Sequence, residues 1–207
     1  IRAQMADINA QLSEENELIR AENALKRQRA QIEEKSRLMD EMIALVQPQL
    51  LQINQLLEKE SVQNLKQVCL LGAYLKRRVN LALICEGEST VSADELTHCL
   101  RESLEYLEGC GVACAMNTSV DGTKIEGSVL QTAYDFFEDC VEAALPTLSA
   151  LIVRLSCADS FSIRLIEQDA AALLDISGHA ESGHLTVDDE DGALCLTLSF
   201  SAGGERA

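Results

Sequence analysis

Apolar side chains recur every seven residues through the opening of this chain, and no other feature constrains the fold as much. Leu18, Leu25, Ile32, Met39, Val46 and Ile53 are spaced by sevens; Met5, Leu12 and Ile19 keep the same spacing one residue out of step. Residues 1–60 hold one proline and no glycine and are rich in Ala, Leu, Glu, Gln, Lys and Arg, which cost a helix least. A sustained heptad is the seam of a coiled coil. The companion positions are polar early (Glu22, Arg29, Ser36) and apolar later (Ile43, Leu50, Leu57), so the seam widens into a bundle face near residue 39. A lone helix this long leaves its seam in water. The spacing therefore predicts a parallel homodimer through Leu18, Leu25, Ile32, Met39, Ile43, Val46, Leu50, Ile53 and Leu57. The alternative is a long helix packed on its own domain.

Pro48 removes an N–H and crowds the preceding turn, which predicts an interruption and a kink. A second helix is expected from about Val62 to Ile84, with an apolar stripe of Val62, Leu65, Val68, Cys69, Leu75, Val79 and Leu83. Lys76-Arg77-Arg78 near its end reads as a solvated turn favoured by the helix dipole. Two antiparallel helices per chain, doubled by dimerisation, make a four-helix bundle.

Charge divides the chain. Residues 1–101 carry 13 basic and 15 acidic side chains, a net of −2; residues 102–207 carry 4 and 19, a net of −15. Such a balance argues against nucleic acid, whose binding needs clustered Lys and Arg. It favours a basic protein partner. No apolar run is long enough to span a bilayer.

The eight cysteines include no C-x-x-C pair, and several have apolar neighbours (Val68-Cys69-Leu70, Leu194-Cys195-Leu196). They read as reduced, buried thiols of a cytoplasmic protein. A zinc site of His98, Cys99, Cys110 and Cys114 matches no usual ligand spacing, so no metal is expected.

Past a linker at residues 86–89, Ser92 and Glu95 have the spacing of a capping box. Leu96, Leu100, Leu104 and Leu107 follow as a helical face that ends at Gly109-Cys110-Gly111. Val112–Met116 reads as a strand, Asp121-Gly122 as a turn, and 128–145 as a second helix lined by Val129, Ala133, Phe136, Phe137, Val141 and Ala144. The period then changes to two at Leu151, Val153, Leu155 and at Phe161, Ile163, Leu165. A hairpin pairs 185–187 with 194–200 around Asp191-Gly192. The order predicts an α+β two-layer sandwich with helices on one face of the sheet.

This succession resembles the cytoplasmic core of a bacterial sensor histidine kinase. Arg37-Leu38-Met39-Asp40-Glu41-Met42 is similar to that family's Arg-x-x-His-Asp/Glu segment. Phe137-Glu138-Asp139-Cys140-Val141-Glu142-Ala143 is similar to its nucleotide-site helix, Glu-x-x-x-Asn-Ala, and Gly183 through Phe200 to its closing hairpin. The resemblance implies a coiled-coil input at 1–38, a dimerisation hairpin at 39–85 and an ATPase-like sandwich at 90–204 with a shortened lid. It also implies a membrane sensor preceding the chain, which opens at Ile1.

The departures from the pattern bear on activity. The phosphoacceptor place holds Met39, flanked by Asp40 and Glu41. In a second branch of the family the acceptor follows a proline, and here that place is Gln49, after Pro48. Residues 1–97 contain no histidine, and neither a thioether nor an amide accepts a phosphoryl group as imidazole does. The magnesium-binding Asn is replaced by Glu142. Glu138 keeps the family's acidic residue, although an exposed helical Glu is the simpler reading. Asp169-Ala170-Ala171 lacks the glycine of the adenine-reading Asp-x-Gly. Glu138, Glu142 and Asp169 are therefore vestigial nucleotide candidates.

The expectation is a catalytically degenerate, dimeric signalling module without ATP, whose former cleft is either open and lined by polar groups or filled by Leu173, Leu174 and Ile176 of the shortened lid. The alternatives are an ATP- and magnesium-binding kinase that phosphorylates a partner in trans, and a coiled-coil scaffold with an unrelated head.

Overall fold

The computed structural model describes residues 2–59, 61–86, 89–157, 160–168, 179, 183–190 and 192–200, with side chains from residue 15 onward. It contains two compact units, Ile1–Leu45 and Val46–Ala207. Helix α1 (Arg2–Leu57) supplies the first unit and continues into the second.

In the first unit the seam residues Leu18, Leu25, Ile32, Met39 and Ile43 are all exposed on the single chain. Exposed ion pairs line the same helix: Lys26 to Glu22 at 2.7 Å, and Arg37 to Glu34 and Glu41 at 2.5 and 2.6 Å.

In the second unit α1 runs through Pro48 without a break, against the expected interruption. Only one N–H is missing, and the turns on either side carry the helix across. Leu50 and Leu57 are exposed, whereas Val46 and Ile53 pack against the core of the second unit.

Helix α2 (Val62–Cys85) starts at Ser61, whose hydroxyl accepts the Asn64 N–H at 3.0 Å. It packs on two further helices, α3 (Ala93–Gly109) and α4 (Gly127–Ala144). The expected stripe of α2 splits. Leu75 is buried, but Val62, Leu65 and Leu83 are exposed; the buried face is Leu70, Leu71, Tyr74, Arg78 and Leu81. The helix is apolar on more than one side, so periodicity alone does not choose the inner face. Arg77 and Arg78 lie inside this packing rather than in solvent.

At the start of α3 the Ser92 hydroxyl accepts the Asp94 N–H at 3.3 Å and donates to the Asp94 carboxylate at 2.9 Å. Asp94 thus takes the place expected for Glu95. A two-stranded ribbon of β1 (Thr90–Ser92) and β3 (Lys124–Glu126), too short to register as a period, ties the starts of α3 and α4 together.

The main sheet has the order β2-β4-β5-β7-β6, built from β2 (Ala113–Ser119), β4 (Ala150–Cys157), β5 (Phe161–Gln168), β6 (His184–Glu190) and β7 (Ala193–Phe200). Strands β2 and β4 are parallel, bridged by the crossover that contains α4; the other pairs are antiparallel. Alternation sends Leu151, Val153, Leu155, Phe161, Ile163, Leu165, Leu196, Leu198 and Phe200 into one core with α3 and α4. The architecture is α+β, as the period change implied. In the β6–β7 turn, Gly192 takes a φ of +82° that a side chain would disfavour.

Candidate functional site

Helix α4 carries the residues singled out above. Its buried side is partly apolar (Phe136, Phe137, Val141), and a second side bears Asp135, Glu138 and Glu142 at helical spacing. That acidic side meets α2 and the end of α1. Asp135 accepts from the Tyr74 hydroxyl at 2.9 Å and from Arg78 Nε at 2.5 Å. Glu142 accepts from the Gln67 amide at 3.1 Å and from the Gln52 amide. Gln52 lies one turn after Gln49, whose side-chain oxygen is buried with no partner among the described residues. The segment brought to α4 is therefore the one following Pro48. Met39, Asp40 and Glu41 lie in the first unit, where Met39 is exposed and Glu41 holds Arg37.

Glu138, read above as an exposed carboxylate, is 2% exposed, and neither oxygen has a hydrogen-bond partner among the described residues. Burial pushes its pKa well up, and the carboxylates of Glu142, Asp139 and Asp135 push the same way; Arg77 opposes them. Those neighbours favour its protonated form, in which a carboxyl is a poor base and a poor cation ligand.

Arg77 is 4% exposed and is shared between the Ala73 carbonyl (2.9 Å), the Glu102 carboxylate (2.6 Å) and the Tyr106 ring, 5.3 Å from its centroid. Around it, Tyr134 bonds Ser103 at 3.0 Å and stacks between Tyr74 and Phe137. A polar layer thus joins α2, α3 and α4; it has no period in the sequence because its members come from three helices.

Glu167 also escaped the sequence reading. It is fully buried, its oxygens lack partners among the described residues, and burial raises its pKa to about 7. Its signal was present: Phe161, Ile163, Leu165 and Glu167 share one face of β5, so alternation carries a carboxylate into the core. Asp169, named instead, lies outside the described residues, as do Leu173, Leu174 and Ile176.

Among the described residues no cluster of His, Cys, Asp or Glu could hold a metal ion. His98 is exposed, away from any such group. All eight cysteines are free, but only Cys140 and Cys195 are buried and Cys69 is exposed, so the expectation of buried thiols holds for two positions.

No family model matches the chain, and no curated protein does. Solved structures do. The histidine kinase domain of a blue-light-activated histidine kinase from Erythrobacter litoralis is similar over 77% of this chain and 83% of that one, with a TM-score of 0.51 at 8% identity. A bacterial phosphotransferase (TM-score 0.45, 12% identity, 77% of this chain and 93% of that one) and the Acinetobacter baumannii histidine kinase AdeS (0.44, 9%, 79% and 96%) are also similar. The chain has the fold of a bacterial histidine kinase cytoplasmic core. At these identities the likeness concerns the fold, and the chemistry rests on this chain's own residues.

The described residues do not fit a magnesium nucleotide. The family that the sequence resembles has its nucleotide-site helix at the place of α4; here the polar side of α4 is acidic and is bonded to α1 and α2 through Gln52, Gln67, Tyr74 and Arg78. An ATP phosphate chain needs cations or helix N-termini; this side offers a buried carboxyl and two hydrogen-bonded carboxylates. No helix among the described residues is long and apolar enough to cross a membrane.

Proposed function

We propose that this chain is a catalytically silent signalling module of histidine kinase fold. Two copies join through the seam of Leu18, Leu25, Ile32, Met39 and Ile43, continued by Leu50 and Leu57. The hairpin at 39–85 passes a conformational input to the 90–204 head, which docks a protein partner. A preceding membrane sensor is the natural source of that input, and the module would work on the cytoplasmic side.

The observation that carries this reading is the bonding of Glu142 and Asp135 to α1 and α2 beside the buried Glu138, whose pKa is raised by burial and by neighbouring carboxylates. The resemblance puts the nucleotide-site helix at α4, and those contacts take up its acidic side. Support comes from the sequence, in which residues 1–97 offer no imidazole as a phosphoryl acceptor. Isothermal titration with Mg-ATP should give no binding heat, and incubation with γ-labelled ATP should leave the chain unlabelled. Micromolar binding or stable label would overturn the proposal in favour of an enzyme acting on a partner.

A further inference from the structure

The two edges of the main sheet are built differently. Strand β6 ends one side with Asp188, Asp189 and Glu190 in its last turn of sequence, charges that repel an incoming strand of like sign. Strand β2 ends the other side with Ala-Cys-Ala-Met-Asn-Thr-Ser. It has no charge and no proline, and its register with β4 runs one to one without a bulge. Proteins usually blunt a free edge with one of those devices.

The main chain of β2 is ready for a neighbour. Ala113 gives its N–H to the Ser149 carbonyl at 3.0 Å, on the β4 side. Strand alternation then turns the amide and carbonyl groups of Cys114, Met116 and Thr118 away from β4. No strand among the described residues pairs with that edge, and Ala113, Ala115, Asn117, Thr118 and Ser119 are exposed.

Charge indicates the occupant. Residues 102–123 contain four acidic side chains (Glu102, Glu105, Glu108, Asp121) and no basic one. Helix α3, packed on β2, exposes Glu105 and Glu108; Glu108 acts on Cys114 of β2, whereas Glu105 lines a groove with Lys66 of α2. Burial, then the Glu108 carboxylate, pushes the Cys114 thiol up to about 11. Arg154, in register with Asn117, faces the other side. A second copy would bring a like field, net −15 over residues 102–207, to the same edge, and two such fields repel.

We propose that β2 is a docking edge that takes an extended, lysine- or arginine-bearing segment of a partner protein as a sixth strand of the sheet. Backbone pairing would supply affinity, and basic side chains facing Glu108 would supply selectivity. The proposal rests on the reading of the head as a docking domain and locates the contact.

The test uses the whole chain, isotope-labelled, with a capped heptapeptide of alternating lysine and threonine. The amides of Cys114, Met116 and Thr118 should exchange at least about tenfold more slowly with peptide than without. The same peptide N-methylated at alternate residues keeps its charge and should give no protection. Thr118→Pro, at an exposed position, removes one outward N–H and should lose most of the effect, with a thermal melt to check folding. If that variant does not fold, the N-methylated peptide still decides. Equal binding of both peptides, protection elsewhere, or no binding would overturn the docking edge. So would protection of β2 that grows with protein concentration alone, which would make a second copy the occupant. Mg-ATP titration judges the reading of the head separately, so failure of one does not imply failure of the other.

Discussion

The first unit and the second use the same charged residues to opposite ends. In the first, Arg37 lies in water between Glu34 and Glu41, one helical turn away on either side. In the second, Arg77 and Arg78 are 4% and 8% exposed and hold Glu102 and Asp135 on other helices. In water the partners compete with solvent and gain little. Inside, solvation has been given up, so each charge depends on the partner it has. Lys76-Arg77-Arg78 is thus a structural element although its sequence reads as a solvated turn.

The sharpest way to break the comparison is to remove one inner charge. Arg78→Met leaves Asp135 beside Glu138 with the Tyr74 hydroxyl as its remaining hydrogen-bond donor. Breaking a buried pair from one side costs about 3–5 kcal/mol, and urea unfolding should show a loss of that order. Adding Asp135→Leu should return part of it, because no stranded charge remains. If Arg78→Met were neutral, the polar layer between α2, α3 and α4 would carry no weight in holding α2 against α4.

The next effect is smaller and depends on pH. Glu167 has a folded pKa of about 7, raised by burial from an ordinary 4.5. The folded state therefore keeps a proton that the unfolded chain has lost, so stability is fully present below pH 4.5. It falls as pH rises toward 7 and stays flat above. The shift corresponds to about 3 kcal/mol. Glu167→Gln should remove this slope. Against the parent, the variant should gain stability at pH 8 and gain nothing at pH 4, in urea titrations at both values. A variant whose slope between those values matches the parent's would show that Glu167 titrates normally.

These two effects also mark what the sequence discloses. Heptads located α1, and two-residue alternation located β4, β5 and β7, because each is a periodic pattern set against one buried face. The apolar lining of Val129, Ala133, Phe136, Phe137, Val141 and Ala144 located α4, and resemblance singled out its Glu138 and Glu142. The inner face of α2 was illegible for a physical reason: Val62, Leu65 and Leu83 look as apolar as Leu70 and Leu81, and packing against α3 and α4 made the choice. The partners of Asp135 and Glu142 are separated from them by 57 to 90 residues, a distance no local pattern reports. Glu167 could have been found from alternation alone. The family's motif points instead to Asp169, two residues on.

The smallest effect belongs to the first unit, and its smallness is the point. Arg37→Gln removes both bonds to Glu34 and Glu41, and Glu34 loses the guanidinium that holds its carboxyl below the usual range. Both partners are exposed, so screening at about 0.15 M salt leaves little to lose. Thermal melts should be unchanged there, and a slight loss of helix by circular dichroism should appear only at about 0.01 M salt, where charges are felt roughly four times farther. A drop of several degrees at the higher salt would mean that the second copy expected along Ile32 and Met39 covers Arg37 as well. The seam would then be wider than its apolar residues, and this part of α1 would belong with the second unit, among the places where a charge depends on its partner.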